Sequence, residues 1–256
     1  DEFGGGYVNN WTTEKFANYV RSKDTGNNIL LARDHGGPWQ NTIEIDRKLD
    51  LKDAMSSAKK SFERDLEAGF SMLHIDPSID IFEAPTADQI LDRVFELYEH
   101  CWAYASKLNQ PVLFEIGTEE QNGGANTAEE LTYSLEKISL FCNKNKIKLP
   151  DFVVVQSGTK VMETRNVGTF ESPLRIKNEL AVELQVPQML GICNRFSIMM
   201  KAHNTDYLSD ESLMWHPRLG IHAINVAPEF GVVESRALIE ILQKNNLDNL
   251  INRFLD

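Results

Sequence analysis

The chain has no run of about 18 consecutive apolar residues, so its sequence gives no signal for a membrane-spanning helix. Cysteine is scarce: Cys101, Cys142 and Cys193 are odd in number and lack metal-finger spacing. They offer no disulfide framework and are expected to be small buried hydrophobes in a reducing, cytoplasmic setting. Basic blocks are also missing. Lys and Arg total 26 against 38 Asp and Glu, a formal charge of −12 spread along 256 residues. That balance argues against nucleic acid or an anionic membrane as the main partner. No G-x-G-x-x-G turn follows any apolar run, which removes the usual dinucleotide-binding signature. Neither an initiating Met nor an apolar leader precedes Asp1, so the chain is expected to be part of a longer one.

Against these absences stands ordinary globular composition, 42% hydrophobic and 25% charged, enough for one large core. Six short, nearly continuous apolar runs read as parallel strands covered by helices: 28–32, 70–75, 112–116, 152–155, 197–200 and 220–226. Between them Leu51, Ala54, Met55, Ala58, Phe62 and Leu66 recur at helical spacing, with Gly69 as the stop. A second amphipathic helix follows Thr86 through Trp102, and Thr127 with Glu130 forms a capping box for a third. Further helices are expected over roughly 172–185 and 238–254. The alternation predicts an α/β fold, a (β/α)8 barrel forming one domain over 1–256. Six of its strands are recognisable, and the first two are expected to lie upstream of Asp1.

Polar residues gather after each run. In a parallel barrel these strand ends converge on one mouth, where chemistry is found. Asp76, Ser78, Ser157, Lys160, Asn204 and Asn225 are the candidate substrate contacts there. Lys160 is read as a phosphate contact or a surface lysine, and Trp39 as a stacking surface for a sugar. Trp11, Trp102 and Trp215 read as packing. Along its strand His203 shares parity with Lys201, and His74 with Asp76, so each pair should face inward. His74 is read as a metal ligand or a satisfied core histidine. Glu115 inside an apolar strand is costly without a partner, so it is a ligand, a neighbour of ligands, or half of an ion pair with Lys201. Glu119 is a candidate acid/base, with a solvated loop charge as its plain alternative.

Taken in order, these strand ends resemble the tagatose-bisphosphate aldolase subunit family known as the non-catalytic or chaperone-like subunit. The resemblance rests on F-G-G-Y-like residues 3–7, D-H-x-G-P at Asp34, His35, Gly37 and Pro38, and H-x-D-x-S at His74, Asp76 and Ser78. It continues through I-G-T-E at 116–119, V-V-Q-x-G at 154–158 and A-H-x-T-D-Y at 202–207. That family is similar to the zinc-dependent class II ketose-bisphosphate aldolases. The resemblance implies a divalent ion, zinc for choice, with Asp34 moving the proton, His35 and His203 as ligands and Asn225 contacting substrate. The catalytic enzymes carry a third zinc-binding histidine in a G-T-x-H-G strand end. Here Gly158-Thr159 is followed by Lys160 and Val161, so the remaining position would fall to Glu115 or His74.

Two functions follow as expectations. One is a metal-dependent aldolase or epimerase that polarises a ketose carbonyl and acts on a sugar phosphate through an enediolate. The other is a non-catalytic subunit stabilising a separate class II aldolase subunit, with self-association as a further partner possibility.

Overall fold

Alternating apolar runs and amphipathic stretches produce a six-stranded parallel sheet with helices packed on its outer face. The computed structural model describes residues 10–118, 127–171 and 181–255. The chain enters through α1 (Thr13–Lys23) and β1 (Ala32–Gly36), then α2 (Thr42–Asp46), α3 (Leu51–Glu67) and β2 (Met72–Ile75). It continues with α4 (Ala87–Lys107), β3 (Leu113–Ile116), α5 (Ala128–Asn145) and β4 (Phe152–Val155). A short antiparallel hairpin, β5 (Val161–Met162) and β6 (Arg165–Asn166), precedes α6 (Val182–Arg195) and β7 (Met199–Ala202). The chain closes with α7 (Asp210–Leu219), β8 (Ala223–Ile224), α8 (Pro228–Lys244) and α9 (Asp248–Leu255).

The main sheet has the order β1-β2-β3-β4-β7-β8, with every pairing parallel, which is the arrangement of a partial (β/α) barrel. Strand parity sorts its two faces. Leu73, Ile75, Phe114, Ile116, Val153 and Met200 are buried against α3, α4, α5 and α6 in one continuous core. The opposite, inner face carries His74, Glu115, Lys201 and the strand-end polar groups. None of the described helices is long and apolar enough to cross a membrane. All three cysteines are free and buried, as expected.

Caps explain the helix starts. Thr86 and Thr127 form reciprocal capping boxes with Gln89 and Glu130, and Asp50 caps α3. Several boundaries differ from the sequence expectation. β1 begins at Ala32 rather than Asn28, because the Asp24 carboxylate accepts the Asn28 and Ile29 amides and withdraws them from pairing. β8 is only two residues long. The helix expected over 172–185 runs as Val182–Arg195, with residues 172–180 outside the described set. The single helix expected over 238–254 is two, α8 and α9, separated by a turn in which Asn246 has φ 54°. None of the α8 residues is buried.

The loops above the inner face are pinned from below. Trp39 is 1% exposed, so it packs instead of offering a sugar-stacking surface. Its amide donates to Glu44 Oε2 (2.6 Å) and its indole to the Leu49 carbonyl (2.9 Å). The Arg93 guanidinium lies 5.5 Å from the Trp39 ring centroid and donates to the Pro77 and Ile79 carbonyls. Arg93 also pairs with Asp80 at 2.5 Å, both side chains being less than 10% exposed. Trp215, by contrast, is 44% exposed and is not a packing residue.

Removing Arg93 leaves a buried carboxylate and two loop carbonyls without their donor. Arg93→Met should therefore lower unfolding free energy by ~3–5 kcal/mol, the usual loss when one partner of a buried pair is deleted. Urea denaturation measures it. Burial opposes ionisation of Asp80, but the Phe82 amide and Arg93 outweigh it and hold the carboxyl below its usual value. The stability this adds is present above the unfolded value of 3.8 and is lost as pH falls through the depressed folded value. Wild type should thus lose more stability on acidification than Arg93→Met does.

Candidate metal centre

Three histidines from three strands converge on the inner face: His35 at the end of β1, His74 in β2 and His203 just after β7. Their rings stand 4.6, 5.2 and 5.4 Å apart between centroids, and one ligand nitrogen from each lies within 4.8 Å of the others. His74 and His203 are each 1% exposed. Around them is a small cavity of about 10 Å³, also lined by Asp76, Gly117, Thr118, Val154 and Gln156. That is room for a single ion or water.

A bulge in β1 makes the convergence possible. Arg33 pairs with Leu73 and Gly36 with Ile75, so Asp34 and His35 together oppose the single residue His74. His35 takes φ 45°, an uncommon conformation for a side chain larger than glycine. The result is that both bulge residues reach His74. The His35 amide nitrogen lies 3.3 Å from His74 Nδ1, and Asp34 Oδ1 lies 3.6 Å from the same nitrogen.

Carboxylates hold the rings. Asp76 Oδ2 lies 2.6 Å from His35 Nδ1, while its Oδ1 accepts from the Ser78 amide and hydroxyl. Gly37 permits this approach, since a Cβ there would stand 2.4 Å from the Asp76 carbonyl oxygen. Glu115 is 0% exposed; its Oε2 accepts from Lys201 Nζ (2.7 Å) and its Oε1 from His203 Nε2 (3.3 Å). Oε1 also lies 3.6 Å from His74 Nδ1. The ion pair expected between Glu115 and Lys201 is therefore present.

The charge states follow from these contacts. The Asp34 side chain is exposed at the rim, where the surrounding protein still removes part of its water and opposes ionisation. The hydrogen bond with His74 and the charges of the imidazoles and Lys201 outweigh this and hold its pKa at about 2. Burial likewise opposes the charge on Asp76 and Glu115, and the histidine donors outweigh it and depress both. For His35, burial favours the neutral ring, yet the Asp76 hydrogen bond and surrounding carboxylates raise its pKa. His203 is lowered by burial, against the pull of Glu115.

A cation fits this set. The Nε2 of His74 is buried and without a partner, and it faces Gly117, where a Cβ would come within 2.6 Å of that nitrogen. Imidazole donors suit Zn²⁺ and related ions, and a carboxylate on the far side of the ring is the usual support of a ligating histidine.

The remaining candidates divide. Asp76 is engaged with His35 through one carboxylate oxygen and with Ser78 through the other. Ser157 is buried with its hydroxyl unpartnered, whereas Lys160 is exposed. Asn225 Oδ1 accepts the Asn204 amide, joining the end of β8 to the segment after β7. Glu119 and the residues 3–7 lie outside the described set. Asn166, not singled out in the sequence, clasps two strand ends. Its side chain donates to the Asn204 and Asp206 carbonyls and accepts from the Lys160 and Gly168 amides. Gln156 and Gly117 were also missed as cavity walls; Gln156 shares strand parity with Val154, which was the available signal. A wider groove of about 700 Å³ lies outside the sheet between α5 and α6, away from all these groups.

The family described as D-tagatose-1,6-bisphosphate aldolase subunit GatZ/KbaZ-like matches residues 2–246. No curated protein matches the chain. Among solved structures, it is similar to a probable tagatose 6 phosphate kinase from Sinorhizobium meliloti 1021, at 21% identity and TM-score 0.69. That similarity covers 90% of this chain and 56% of the other, so the chain spans little more than half its length. A fructose-bisphosphate aldolase from Campylobacter jejuni is similar at 16% identity and TM-score 0.51, over 91% of this chain and 62% of that one. At such identities the likeness establishes the fold.

Metal ligands bind as neutral imidazoles, and His35 stays protonated to higher pH than an ordinary histidine. Cation affinity should therefore rise as pH increases through that raised value. Asp76→Asn removes the hydrogen-bond partner that raises it, so the rise should move to lower pH. Zn²⁺ titration against a competing chelator across neutral pH measures both; an unmoved midpoint in Asp76→Asn contradicts this account.

Proposed function

The chain belongs to the D-tagatose-1,6-bisphosphate aldolase subunit GatZ/KbaZ-like family, and on that premise we propose that it carries out metal-dependent aldolase- or epimerase-type chemistry on a ketose phosphate. The observation that supports this reading is the buried, unpartnered Nε2 of His74 among three converging imidazoles. His35, His74 and His203 would hold the ion. A divalent cation there would supply a Lewis acid for a ketose carbonyl.

The other work belongs to the chain. Asp34 stands in its ionised form at the exposed cavity edge, which makes it the candidate to accept a proton from a substrate carbon or hydroxyl there. Asp76 and Glu115 keep two of the rings in place. Ser157, with its unpartnered hydroxyl, and Asn225 are candidates for substrate hydroxyls, and the exposed Lys160 is a candidate for a phosphate.

One observation favours a second reading, a non-catalytic subunit supporting a separate aldolase subunit. Lys160 and Val161 occupy the strand end where the class II enzymes carry a histidine. The third imidazole here comes instead from His74 on β2.

Metal analysis and turnover of several ketose phosphates separate the two. Under the first reading the purified protein holds about one divalent ion per chain. Asp34→Asn keeps that ion but lowers turnover by ~10²–10⁴, the typical contribution of a positioned base. His203→Ala loses ion and turnover together. Absence of turnover from the wild type alone, with both variants still supporting an added aldolase subunit, sinks the enzymatic reading in favour of the second.

A further inference from the structure

Glu115 stands at the same height as His74, its register partner on the neighbouring strand, and its Oε1 faces His203 and His74 at 3.3 and 3.6 Å. Glu115 does not line the cavity as it stands, but a shielded carboxylate this close to two imidazoles that do would join the ligands of a bound ion by turning inward. Zinc centres with four protein ligands are closed and structural, whereas catalytic ones keep three and leave a position open. Three imidazoles plus Glu115 would close this one.

Lys201 lies on β7, two residues before His203 and on the same face. Its register partner on β4 is Val154, so its side chain reaches across β4 to the carboxylate on β3. There Nζ takes Oε2 at 2.7 Å. Turning Glu115 into the cavity requires breaking that contact and leaving the ammonium, 13% exposed, without its counter-charge.

We infer that Lys201 is a positioning residue: it holds Glu115 as the hydrogen-bond acceptor of His203 and keeps it out of the coordination sphere, so that one position stays open for substrate. This rests on the metal-dependent reading above. It also assigns Glu115 a supporting place rather than a ligand's place.

The test uses Co²⁺, whose visible spectrum reports coordination number and ligand type, together with chelator-competition affinities and thermal melts of the metal-free proteins. Glu115→Gln should keep the wild-type Co²⁺ spectrum while losing ~10–100-fold in affinity, as when a ligand's supporting group is removed. Lys201→Met should change the spectrum by admitting the carboxylate. Lys201→Arg should restore it, and so should Lys201→Met combined with Glu115→Gln, which removes both buried charges and remains informative if Lys201→Met alone does not fold. A spectrum altered by Glu115→Gln alone identifies Glu115 as a ligand and overturns the assignment. So does a folded Lys201→Met with wild-type spectrum and affinity. A wild type that binds no Co²⁺ overturns the metal reading itself, and the role of Lys201 with it.

Discussion

Glu115 carries its negative charge with no exposure to water, and the inner face of the sheet is arranged around that charge. An isolated carboxylate in such a place would take up a proton rather than remain ionised. Here a lysine from β7 and two histidines from β2 and the end of β7 surround it. They come from β2 on one side and β7 on the other, so the charge is satisfied only when those strands hold their register with β3. A slip of one residue would turn Lys201 and His74 to the helix-covered face, among Leu73, Phe114 and Met200. The same charge therefore enforces strand register and supports the imidazoles.

The loops above the sheet are held as tightly as the strands. Arg93 reaches up from α4 to the segment after β2, and Trp39 with Glu44 fixes the segment after β1. Asn166 bridges the segments after β4 and β7 through four backbone contacts. A centre built at the ends of strands depends on loops, which are ordinarily the most mobile parts of a fold. Buried side chains reaching into those loops give the imidazoles fixed positions, as selective cation binding requires.

The two sides of the sheet also differ in character. The outer side is an apolar layer closed over by α3 to α6, while several inner residues, among them Met72, Phe152, Lys201 and Asn204, are only half-buried. At the sheet margins, β1 and the two-residue β8 each have one partner in the described sheet, and α8 buries none of its residues. Stability is thus concentrated in the middle strands, β2, β3, β4 and β7, which carry His74, Glu115, the wall residue Val154 and the Lys201–His203 pair.

Much of this was legible in the residues themselves. Nearly continuous apolar runs separated by capped amphipathic stretches read as parallel strands under helices, so the α/β class follows from periodicity, and six polar strand ends favoured the barrel. Period-two parity placed His74 with Asp76 and Lys201 with His203, and the cost of a buried carboxylate made a Glu115–Lys201 pair one of three readings. Strand and helix limits near residues 28 and 245 were less accessible, because a single side-chain cap at Asp24 and a positive φ at Asn246 decide them. The β1 bulge lay beyond local reading. Simple alternation sends Asp34 and His35 to opposite faces, yet two residues set against one bring both to His74 Nδ1. Only packing in three dimensions shows that Asp76 and Ser78 support His35, that Trp39 is buried under Arg93, and that Gly117 leaves space for His74. Sequence alone determined which groups sit at the strand ends, since composition and period are local properties. Tertiary structure decided which of those groups meet, because register, bulge and loop contacts are set by residues far apart in the chain.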